Sequence, residues 1–205
     1  MSTAAPPTRS DRSDFRTVTL GGAQLGGLTA LAVVVFLAAA RLLAQRGALA
    51  GAVEALIVLV AGVAVSFLPA QWTAAREVEG IAGAAAMGFV GTIAFMAIDV
   101  VVLRPLKAYP WTWDAIGGGS TWWYLPVWWM LGTFLAWMGA IVTARQAARG
   151  EATLWRAASP TVAGTLLGVA FARLGGLHAP LPVAVGLAFS VVVALLAVVA
   201  LARKR

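Results

Sequence analysis

Six long apolar stretches fill most of this 205-residue chain, and they constrain its fold more than any motif does. A hydrocarbon core about 30 Å thick takes roughly 20 apolar residues per helical crossing. On that measure spans lie near 18–40, 49–69, 79–103, 121–143, 158–175 and 182–202. Each must be helical, because lipid offers backbone N–H and C=O groups no partners. The expected fold is all-α: a polytopic transmembrane helical bundle of about six spans, forming a single membrane domain over 18–205. A chain with 61% hydrophobic and only 11% charged residues fits no soluble class of this size.

Residues 1–17, with Pro6, Pro7 and several Ser, Thr, Arg and Asp residues, read as a disordered tail. The apolar run behind them exceeds a signal-peptide core, so a retained anchor is expected. The fifth span is the short one. Ser159-Pro160 makes a good helix start, with Ser as cap and Pro at the first helical position, and Gly175-Gly176 a good stop. A start nearer Thr153 would lengthen it to a full crossing.

The chain has no cysteine and one histidine, His178. Disulfides, thiolate metal sites and cysteine nucleophiles are therefore excluded within the chain, and so is a multi-histidine metal centre. No cofactor is expected. The net charge of +7 does not point to nucleic acid, since basic residues collect beside membrane spans for topological reasons. With six spans, Arg9, Arg12, Arg16, Arg76, Arg145, Arg149, Arg156, Arg203, Lys204 and Arg205 share the face that holds both termini. Arg41, Arg46, Arg104, Lys107 and Arg173 lie on the other. Ten against five places both termini in the cytoplasm, and the alanine-rich composition points to a bacterial inner membrane.

Membrane helices associate through small residues and a few polar contacts. Gly80, Ala84, Gly88 and Thr92 recur every four residues along the third span, and Gly164, Gly168 and Ala172 do so along the fifth. Gly22 and Gly26 give the pattern once in the first span. Asp99 follows Gly88 by nearly three turns, so the ridge that packs also carries the span's acid.

Threading the chain back and forth brings Glu54, Asp99, Arg41, Arg104, Arg173 and His178 to similar depth near the outer surface. Charges within spans pair or line a wet cavity. The group reads either as a set of salt bridges locking helix ends or as a polar vestibule for a small ligand or proton.

Of nine tryptophans, Trp111, Trp113, Trp122, Trp123, Trp128 and Trp129 crowd one segment before and into the fourth span. The indole ring favours the headgroup region, so 109–124 is expected to lie along the outer interface. Trp128, Trp129 and Trp137 go deeper, which suits contact with a partner subunit, pigment, quinone or lipid tail. Gly117-Gly118-Gly119-Ser120 lacks the spaced glycines and Lys of a phosphate loop. Arg145 to Arg156 reads as a basic segment on anionic headgroups.

In size and span number the chain is similar to the substrate-binding membrane subunits of energy-coupling-factor transporters, without a diagnostic motif. Three functions compete. The first is a non-enzymatic subunit of a larger membrane complex, with other membrane subunits or further copies of itself as partners. The second is a small-solute transporter or ligand-binding membrane protein using the outer vestibule. The third is an intramembrane enzyme on lipid, needing an acid or base among Asp99, Asp114, Glu54 and His178. The poverty of catalytic groups favours the first.

Overall fold

A computed structural model describes residues 12–106, 108, 124–150 and 153–203. Among them are six helices long and apolar enough to cross a bilayer: α1 (Phe15–Leu42), α2 (Gly47–Trp72), α3 (Val78–Ile98), α4 (Tyr124–Ala147), α5 (Leu154–Leu174) and α6 (Leu181–Ala202). The described residues include no strand. This is the fold of an integral membrane protein; the expected spans coincide with these helices, the third running on past α3 through Leu103, while residues 121–123 of the fourth lie outside the described residues. Residues 109–123 lie outside the described residues, and with them Trp111, Trp113, Trp122, Trp123, Asp114 and the triple-glycine turn.

Two boundaries differ from expectation. Helix α1 begins at Phe15, inside the stretch read as a tail, because Asp14 caps it: the Thr17 N–H donates to Asp14 Oδ1 at 2.9 Å and the Thr17 hydroxyl to Oδ2 at 2.6 Å. Helix α5 begins at Leu154 with Thr153 as its cap, so Ser159-Pro160 is internal. Pro160 has no N–H to give to the carbonyl of Arg156, four residues back. Gln146 of α4 supplies the missing donor, its Nε2 reaching the Arg156 carbonyl at 2.8 Å. A neighbouring helix thus repairs the break, and α5 runs for 21 residues.

Helix α3 lies between α1 and α4; α2 touches α1, α4 and α6; α5 pairs chiefly with α6. The start of α1 sits by the end of α2, the Arg12 N–H donating to the Thr73 carbonyl at 2.7 Å. Close approach between helices is set by glycine. A Cβ on Gly26 would come within 2.7 Å of the Gly91 carbonyl oxygen, so α1 and α3 meet backbone to backbone. The ridge read from the third span packs on α4: Ala84 shares a cluster with Ala140, and a Cβ on Gly88 would meet Ala136 at 2.5 Å. A Cβ on Gly132 would collide with the Thr92 hydroxyl. Gly80 is buried, its carbonyl accepting from the Thr73 hydroxyl at 3.2 Å. Gly164 and Gly168 face Val192 and Ala188 of α6. The largest buried cluster joins α2, α4, α5 and α6 around Phe67, Phe189 and Val193.

Candidate functional site

The residues expected to gather near the outer surface are divided by the fold into separate local contacts. Asp99 is 5% exposed and pairs with Arg104, whose Nε donates to Asp99 Oδ2 at 3.0 Å. Residues five apart on an α-helix point about 140° away from each other. Here the backbone makes a π-helical turn over Asp99–Leu103, with the Arg104 N–H bonding to the Asp99 carbonyl at 2.9 Å. The wider turn carries Arg104 back over Asp99. Pro105 follows at once and offers no N–H to extend the helix. The other carboxylate oxygen, Asp99 Oδ1, is buried without a hydrogen-bond partner among the described residues.

Arg41, in the last turn of α1, donates to the Ala108 carbonyl at 2.7 Å and so ties α1 to the segment after the π turn. Arg173 donates to the Ala179 carbonyl at 2.6 Å, and His178 Nδ1 approaches the Gly176 carbonyl; both contacts lie within the α5–α6 connection. Glu54 is partly exposed on α2 and makes no hydrogen bond or ion pair with a described residue. The structure therefore brings Asp99 and Arg104 together and leaves Glu54, Arg173 and His178 apart from them. Among the described residues no group of three or more His, Asp and Glu could hold a metal ion.

A cavity of about 130 Å³ lies between α1, α2, α3 and α4, bordered by Thr29, Thr92, Phe95 and Trp128. Both threonine hydroxyls are spent on their own helices, Thr29 on the Leu25 carbonyl and Thr92 on that of Gly88, each at 2.9 Å. The cavity shares Leu25, Thr29 and Val65 with an open groove of about 480 Å³ between α1 and α2, whose other walls are almost wholly apolar. Such a space suits a lipid tail better than a polar solute.

Trp129 and Trp137 border a second groove, of about 440 Å³, on the outside of α3 and α4. Trp129 meets Phe89 edge to face at 6.0 Å between centroids, and its Nε1 is buried without an acceptor among the described residues. Trp137 stands on the same groove, 49% exposed. Searches against family models, curated proteins and solved structures find no match to this chain.

Proposed function

We propose that the protein is a non-enzymatic subunit of a larger membrane assembly, docked through the α3–α4 groove. The observation that carries this is Trp137. It lies thirteen residues beyond Tyr124, about 20 Å along the helix axis at 1.5 Å per residue. That depth is within the hydrocarbon, where an indole gains nothing from the headgroups it ordinarily seeks. Its ring is half exposed there, beside Trp129, whose buried N–H has no acceptor among the described residues. A transmembrane helix of another subunit, bringing a hydroxyl or carbonyl, would bury the Trp137 ring and give its N–H an acceptor. The Trp-rich segment before α4 would extend the same surface to the outer interface. The distribution of basic residues supports cytoplasmic termini, in a bacterial inner membrane on the composition.

Site-specific photocrosslinking tests the reading. With p-benzoylphenylalanine at position 137 in the native membrane, one discrete protein adduct is expected. Adducts to lipid alone would sink the proposal. A second reading, a small-solute transporter or ligand-binding protein, draws on the unpartnered Asp99 Oδ1. It requires that Asp99→Asn abolish uptake while leaving expression intact.

A further inference from the structure

At the end of the bundle opposite Asp99, a cavity of about 270 Å³ opens between the ends of α4 and α6 and the segment before α3. Four arginines stand around it: Arg76, Arg145, Arg149 and Arg203. Its floor is apolar, formed by Ile81, Ile141, Ala144 and Ala200. Neither the packing of the bundle nor the groove on α3 and α4 makes use of this cavity.

Arginines at helix ends often do no more than neutralise the helix dipole. Arg145 does that, its Nη1 donating to the Ala200 carbonyl at 2.7 Å at the end of α6. The charge balance shows that this is not all. A helix C-terminus carries roughly half a negative charge. The ends of α4 and α6 together offset about one of the three charges on Arg145, Arg149 and Arg203. Some two positive charges remain on α4 and α6 alone, around a cavity with an apolar floor at the edge of the hydrocarbon.

We infer that this cavity binds the phosphate of an anionic phospholipid, with Arg149 and Arg203 on the phosphate oxygens and the apolar floor against the upper acyl chain. Guanidinium matches phosphate in a bidentate fork. Basic pockets between helices at the cytoplasmic side are the geometry that holds anionic headgroups. The volume falls just under the roughly 300–1,000 Å³ of pockets that enclose a drug-sized ligand, which suits a headgroup with its chains trailing into the bilayer. A free phosphate would use the same arginines and leave the floor idle.

The test is native mass spectrometry of the full chain in mild detergent, titrated with phosphatidylglycerol. Arg149 and Arg203 are exposed and their side chains make no hydrogen bond or ion pair with a described residue, so the Arg149→Gln/Arg203→Gln variant should fold; Arg145 is left intact. Wild type should retain the lipid, and the variant should bind it roughly 30-fold more weakly, about 5-fold for each charge removed. Arg16→Gln/Arg46→Gln removes the same charge elsewhere and should bind within about 2-fold of wild type. Equal weakening in both variants would show bulk attraction and overturn the site. So would unchanged retention in the pocket variant. Displacement of the lipid by equimolar inorganic phosphate would overturn the lipid assignment, because it would make the acyl contact worthless.

Discussion

Asp99 and Arg104 show what one buried charge demands. Removing one partner of a buried pair leaves the other uncompensated, while removing both is far milder. Arg104 keeps a third of its side chain exposed, so Asp99→Ala should cost about 2 kcal/mol, below the full figure for a buried pair. Asp99→Ala/Arg104→Met should recover most of it. Chemical denaturation in micelles measures both, and a double variant as unstable as the single would refute the pairing. Asp14 is a second test at this scale. Thr17, bonding through its hydroxyl and its N–H, holds the Asp14 carboxyl below its ordinary value of 3.8. A carboxyl lowered on folding lends stability that is complete above its unfolded pKa and is lost as pH falls through the folded one. The first turn of α1 should therefore fray below about pH 3.8, and in an Asp14→Ala variant its amide protection factors, corrected for intrinsic exchange, should no longer change with pH in that window.

At the scale of elements, neighbouring glycines carry opposite weights. A Cβ on Gly26 would press into the backbone of α3, whereas Gly27 has nothing within 4 Å. Gly26→Ala should destabilise by about 1–3 kcal/mol through overpacking. Gly27→Ala should be neutral or stabilising by up to about 1 kcal/mol, since alanine favours the helix. Thermal melting of the two variants separates a packing contact from mere composition. The spans themselves were legible because runs of some twenty apolar residues have one solution in lipid. The small-residue ridge of α3 was legible from its four-residue spacing, though not its partner, because Gly132, Ala136 and Ala140 lie among larger residues that blur the pattern. The π turn was not legible, since Asp99 and Arg104 are five positions apart and an α-helix would part them. Nor was the repair of Pro160 by Gln146: that contact joins residues of two helices, and sequence spacing carries no sign of it. The grouping of Glu54, Arg173 and His178 with Asp99 was inferred from depth alone, and depth says nothing about position around the bundle.

Across the whole molecule, the α5–α6 hairpin meets α2 and α4 in the buried cluster around Phe67, Phe189 and Val193. Phe189→Ala should cost about 3–5 kcal/mol. It should also speed proteolysis near residues 148–153 more than at the α1–α2 turn; even cleavage at both would mean the bundle loosens as one body. The π turn bears on the molecule in a different way. A π turn is an α-helix that has taken in one extra residue. Asp99 and Arg104 stand in the relation that residues four apart hold on an ordinary helix, where opposite charges also meet. Val101, mostly exposed on that turn, is therefore a residue the helix carries in excess of what its pairing needs. A chain shorter by that one residue should close the same bundle, with Asp99 and Arg104 still joined along a plain α-helix.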